Sequence, residues 1–305
     1  MISRFLRPVF IGFSSLLILI LAAALSGCGN SGKQDSDGVT GDEKPSTPSS
    51  VKDTLAQTIF YSVPSPIETA SLIQKTGVPY NKDYLNDIQN VSKYTTTGSE
   101  ALNLGVYGSD LSFTSIYDQT QESMLYLKCA NNLAGRLGIS NAFGEETANR
   151  LDANKNNRDS LLSIISESFW TADSYLKDNE RPGTSSLIIA GGWIEAVYIA
   201  TKLEASSKNS EITTRIAEQK FTLENLVKML KRYDFDPTIA DIYKDLTDLK
   251  TIFDQISLVK TPSVSSTDAK TGITTIGSKS KLNITPEQLK AITEKIEILR
   301  VKITK

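Results

Sequence analysis

The sequence predicts an all-α protein, a multi-helix bundle or array, with a small β-hairpin before its last helix. Three observations carry that prediction. From residue 51 to 257, apolar residues recur at spacings of three and four, the period of a helix with one buried face. Helix starts are marked by capping side chains and first-turn prolines, as in Ser65-Pro66-Ile67-Glu68, Asp236-Pro237 and Thr285-Pro286-Glu287-Gln288. Between residues 258 and 284 the period is lost and Thr, Ser and Val dominate. There Asp268-Ala269-Lys270-Thr271-Gly272 reads as a turn between two β-prone runs, 263–267 and 273–276.

Taken in order, helices are expected over 51–62, 66–76, 82–94, 98–111, 113–138, 144–152, 157–178, 183–207, 210–233 and 237–257. The start near residue 98 rests on Thr97-Gly98-Ser99-Glu100, which has the spacing of a capping box. Ile116, Met124, Leu127, Ala134 and Leu137 form one apolar stripe, and Ile212, Ile216, Leu223, Val227 and Leu230 another. In the helix opened by Asp236-Pro237 the stripe is Ile239, Ile242, Leu246, Leu249, Phe253 and Ile256. The last helix carries Leu289, Ile292, Ile296, Leu299 and Ile303, with Ile284 and Leu289 placed as a hydrophobic staple across its capping box. Each stripe needs a partner, and short connections between helices imply a bundle or array. The hairpin and last helix either dock on the bundle or engage a partner. No 30–45-residue repeat recurs in phase.

Composition excludes several kinds of chemistry. The 305 residues hold 33 Lys+Arg against 35 Asp+Glu, a formal charge of −2, and no basic footprint for nucleic acid is visible. There is no histidine, so Ser-His-Asp, Cys-His and His-metal mechanisms are excluded. Two cysteines make neither a disulfide framework nor a thiolate cluster. Cys129 lies in an apolar helical pattern and is expected to be a buried, unreactive thiol.

The most informative internal feature is a pair of glycine-bearing helices. Gly105 and Gly108 flank Tyr107 and precede Asp110, while Gly191 and Gly192 precede Trp193, Glu195 and Tyr198. Glycine inside a helix costs about 1 kcal/mol relative to alanine, so each such position needs a reason. One reason is close helix crossing. The other is room for a ligand, with Tyr107, Trp193 and Tyr198 as walls and Asp110 or Glu195 as polar anchors.

Other constellations are bland. Asp152-Ala153-Asn154-Lys155-Asn156-Asn157 opens like a calcium-binding loop, but it has Asn157 where glycine is required and Ser163 where a bidentate glutamate is required, so a turn is expected. Glu145-Glu146 suits a helix start, and Lys228, Lys231 and Arg232 suit a helix end. Glu167 and Asp173 are six residues apart on one helix and face opposite sides, which does not suit glycoside hydrolysis. No metal site or cofactor is implied.

The first 28 residues carry an address. Arg4 and Arg7 precede an apolar run over 9–25 that ends in Leu25-Ser26-Gly27-Cys28. This tetrapeptide resembles the lipobox of bacterial lipoproteins, a resemblance that implies removal of residues 1–27 and lipidation (palmitate among the acyl groups) of Cys28. Residues 28–50, rich in Gly, Ser, Asp, Thr and Pro, read as a flexible tether reaching roughly 25 Å from the bilayer. In the lipoprotein family an aspartate after the cysteine retains the protein in the inner membrane. Gly29 stands there instead, favouring the outer membrane, with the periplasmic or surface face left open.

The segments 103–110 and 190–193 also resemble uncharacterised all-helical lipoproteins of Bacteroidota-like bacteria, which implies an exported helical body and no particular activity. The expected organisation is thus a signal peptide over 1–27, a tether over 28–50, a helical domain over 51–257, and a hairpin with C-terminal helix over 258–305. The expected function is a membrane-anchored, non-catalytic module that binds an envelope protein or supports an assembly. The alternative is a small-molecule-binding lipoprotein with its pocket near Gly105 and Gly191.

Overall fold

A computed structural model describes residues 77–260, 264–267, 274–277 and 280–305. The signal peptide, Cys28, the tether, the helices expected over 51–62 and 66–76, and the turn at 268–272 lie outside the described residues. The fold is an all-α array: α1 (Thr97–Ile116), α2 (Thr120–Arg136), α3 (Glu145–Ala153), α4 (Arg158–Asp178), α5 (Pro182–Ser207), α6 (Ser210–Leu230), α7 (Pro237–Asp254) and α8 (Pro286–Thr304). Between α7 and α8 runs an antiparallel β-hairpin. Its strands are β1 (Ser257–Lys260), β2 (Val264–Thr267), β3 (Thr274–Gly277) and β4 (Ser280–Asn283).

Helix α5 is the centre of the array. It packs on α1 over a long crossing and also touches α4, α6, α7 and α8. By length and composition α5 is apolar enough to cross a membrane, yet 78% of its most apolar window is buried by its neighbours, which makes it a core helix. Helix α8 closes the array against α5, α7 and α1, with Ile292, Ile296, Leu299 and Ile303 buried. At its start Thr285 and Gln288 form a capping box, and the Gln288 side chain donates to the Gln255 carbonyl oxygen at 3.0 Å, tying α8 to the end of α7. The apolar stripe of the last helix is therefore spent inside the fold.

Several expected boundaries move. The region 82–94 is two 3-10 turns, Lys82–Tyr84 and Ile88–Ser92, capped by the Asn81 and Asp87 side chains. Asn86, between the turns, spends its backbone N–H on Asp110 and its side-chain amide on Tyr94, so tertiary bonds replace a helical ladder there. The break expected near residue 112 does not occur, and α1 runs on to Ile116. Ser112, Thr114 and Ser115 each donate back to a carbonyl four residues earlier. The chain turns instead at Asp118, whose φ of 57° places it in the left-handed region. Helix α1 is capped by Thr96 with Ser99, one position earlier than Thr97 with Glu100.

Helix α7 ends at Asp254 rather than 257. The next residues form β1, whose partner β4 lies more than twenty residues along the chain, with Leu258 opposite Leu282. The inner ladder pairs Val264 with Gly277 and Thr267 with Thr274, close to the expected strands. Strand β4 touches α6 and buries Leu282.

Candidate functional site

The α1–α5 crossing brings the two glycine-bearing helices together. A Cβ on Gly105 would lie 2.0 Å from the Ile188 carbonyl oxygen, and one on Gly191 would lie 1.9 Å from that of Leu102. Space left by the missing side chains is filled by the opposing backbone. At Gly108 it is filled by the Phe169 ring of α4, whose Cζ would stand 2.0 Å from a Cβ. Ser109 Oγ donates to the Gly192 carbonyl oxygen at 2.8 Å and ties the two helices at the same level.

The five residues singled out from the sequence are all buried. They fall into separate environments. Trp193 points toward α6 and α7: its indole N–H donates to Gln219 Oε1 at 3.1 Å, and its ring faces that of Phe253. Tyr107 points toward the segment before α1, donates to the Asp87 carbonyl oxygen at 2.9 Å, and lies between the rings of Tyr94 and Tyr126. Asp110 and Glu195 lie close enough for each carboxyl group to perturb the other. Tyr198 lies beside them through Arg300, whose guanidinium carbon sits 4.7 Å from its ring centre, in cation–π range.

Arg300 of α8 is the residue that sequence reasoning missed. It grips Glu195 with two parallel hydrogen bonds, Nε to Oε2 at 3.1 Å and an Nη to Oε1 at 3.2 Å. A signal for it exists: Arg300 follows Ile296 by four residues, on the edge of the buried stripe, and two acids on apolar helices call for a cation. Asn86, Tyr94 and Tyr126 were also missed, because their roles depend on irregular backbone before α1. Asn86 N–H donates to Asp110 Oδ2 at 3.2 Å, and Tyr126 donates to the Asn86 carbonyl oxygen at 3.1 Å.

The electrostatics follow from burial. Loss of water pushes the Asp110 carboxyl well above the ordinary range, and the neighbouring charge of Glu195 pushes it further, against Arg300 and the Asn86 N–H. Glu195 is also raised by burial, with Arg300 pulling the other way. Burial works against the charge on Arg300, but Glu195 and Asp110 outweigh it and hold the guanidinium protonated. The same dry surroundings raise the phenols of Tyr80, Tyr94, Tyr107 and Tyr126, and push the Cys129 thiol up to about 11.

The remaining candidates have local explanations. Asn154 donates to the Arg150 carbonyl oxygen and Asn157 caps α4, so the Asn-rich stretch is a helix–turn–helix connection. Glu167 is exposed and paired with Arg150, whereas Asp173 is buried, bonded to Ser185 and paired with Lys177. A crevice of about 20 Å³ between α1, α2, α3 and α4, lined by Ser115, Ser123, Asp118, Asp152 and Lys155 among others, is of water size.

Comparison with protein families, with curated proteins and with solved structures finds no match.

Proposed function

We propose that this chain is a lipid-anchored envelope protein whose helical body binds another protein or supports an assembly. The observation that carries the anchor is Leu25-Ser26-Gly27-Cys28 at the end of an apolar run that follows Arg4 and Arg7. Acylation of Cys28 holds the body at the bilayer, in the outer membrane because Gly29 rather than aspartate follows, and the tether gives it reach.

Protein binding is favoured over a pocket by where the apolar atoms lie. Backbone fills the gaps at Gly105 and Gly191, whereas large apolar side chains stand at the surface. Lys220 of α6 donates to the Asp254 and Ile256 carbonyl oxygens. Phe221 of α6 and Leu258 and Val259 of β1 are each about half exposed. Large apolar side chains left at the surface are what a protein partner would cover, and the crosslinking arm below tests these positions.

The test has two arms. Cells making the full chain or its Cys28→Ser variant are fractionated; the wild type is expected in the membrane pellet and the variant in the soluble fraction. Wild-type protein in the soluble fraction would overturn the anchor. A photo-crosslinker placed at Phe221 or Leu258 in the membrane-bound chain is expected to capture a discrete protein, with none captured from the exposed Lys290. Equal labelling from all three positions would overturn the binding surface.

A further inference from the structure

Asp110, Glu195 and Arg300 put two carboxyl groups and one guanidinium in the dry interior, on three different helices. Both carboxyls are fully buried. Arg300 directs both of its bonds to Glu195 and so neutralises one negative charge. A second charge on Asp110 would stand close to the first. Its Oδ2 accepts the Asn86 N–H, but its Oδ1 is buried without a hydrogen-bond donor from any N–H or O–H of the described residues. An uncompensated carboxylate in such a place is strongly disfavoured, and the ordinary outcome is neutralisation by a proton.

We infer that Asp110 and Glu195 hold one proton between them in the folded protein, and that this proton, with Arg300, fastens α8 to the α1–α5 pair. One proton turns two repelling acids into a hydrogen-bonded acid–carboxylate pair. It also removes the need for a donor at the orphaned oxygen and leaves Glu195 as the single counter-charge of Arg300. The inference does not depend on the anchor or on a partner, since it concerns the interior alone.

Among the described residues, the following groups face the pair. From the segment before α1 come Tyr80, Tyr94 and the Asn86 backbone; from α1, Tyr107; from α2, Tyr126 and Cys129; from α5, Tyr198; from α8, Arg300. Tyr80, Tyr94, Tyr107, Tyr126 and Cys129 all ionise later than in water, and Arg300 stays charged. The sign of the linkage is therefore set by the carboxyls. The folded pair holds its proton more tightly than the unfolded chain does. Stability from this source is full below the ordinary carboxyl range of about 4, declines by up to tenfold in the folding constant per pH unit above it, and levels off once the shared proton leaves.

Infrared spectroscopy of the full chain near pH 7 tests the inference. A protonated-carboxyl band is expected that shifts on ¹³C labelling of Asp or Glu, is absent from Asp110→Asn, and disappears on titration to alkaline pH. Asp110→Asn keeps the shape and supplies an N–H toward Glu195, and hydrogen exchange at Leu299 and Ile303 is expected to lose the one-proton slope seen in the wild type. Absence of the band from the labelled wild type, or equal slopes in the two proteins, would overturn the inference. The wild-type spectrum decides alone if the variant does not fold.

Discussion

Gly105 and Ile188 meet so closely that a single added Cβ on the glycine would lie 2.0 Å from the isoleucine carbonyl oxygen. The obstacle is backbone, which cannot swing aside as a side-chain tip can. Gly105→Ala and Gly191→Ala are therefore expected to lose at least about 2 kcal/mol in urea unfolding, the cost of forcing an overpacked helix pair apart. Gly192→Ala is the control. Its Cβ would stand 3.4 Å from the Gly105 carbonyl oxygen, near ordinary contact. Alanine's better helix propensity offsets the remaining crowding, and no loss of stability is expected there.

Arg300→Ala leaves Glu195 buried without its cation. Breaking one side of such a pair costs about 3–5 kcal/mol, so this variant is expected to be the most damaging single change in α8. Arg300→Lys keeps the charge but not the two-pronged geometry, and its loss should fall between wild type and alanine. Chemical unfolding of the three proteins checks the order.

The end of α8 is held by side chains from outside it. Tyr94 donates to the Thr304 carbonyl oxygen at 3.1 Å, and Asn103 donates to that of Ile303 at 2.7 Å. Tyr94→Phe removes one donor and also leaves the Asn86 amide without its acceptor. A loss of about 1–3 kcal/mol is expected, with faster hydrogen exchange in the last turn of α8 than at its start.

At alkaline pH the buried thiol works against the fold. Cys129 is raised by burial to about 11, so the folded state binds its proton more tightly than the unfolded chain. Its contribution is complete below the ordinary thiol value near 8.5 and is lost as pH rises toward about 11. Cys129→Ala is expected to flatten that part of the stability profile. A thiol-reactive dye near neutral pH should react with wild-type Cys129 only after denaturant is added.

Much of this fold is legible in the residues. The capping chemistry of Asp236 and Thr285 appears in the structure as side-chain bonds to the first backbone N–H groups of α7 and α8. The apolar stripes of α6, α7 and α8 are the buried faces. What was illegible depends on distant partners. The 3-10 turns before α1 exist because Asn86 is bonded to Asp110 and Tyr94, and β1 exists because β4 returns to pair with it. At the candidate site, the glycines and acids could be named but not their assignment. Nothing local to Trp193 says that its ring turns toward Phe253 and Gln219 while Glu195 turns toward Asp110 and Arg300.

The central claim is that the helical body is carried at the membrane by Cys28. The most direct test is intact-mass and N-terminal peptide analysis of the chain extracted from membranes of an expressing bacterium. The account predicts a chain that begins at Cys28 and carries acyl groups on that residue. A chain that still begins at Met1, or one with an unmodified Cys28, would contradict it.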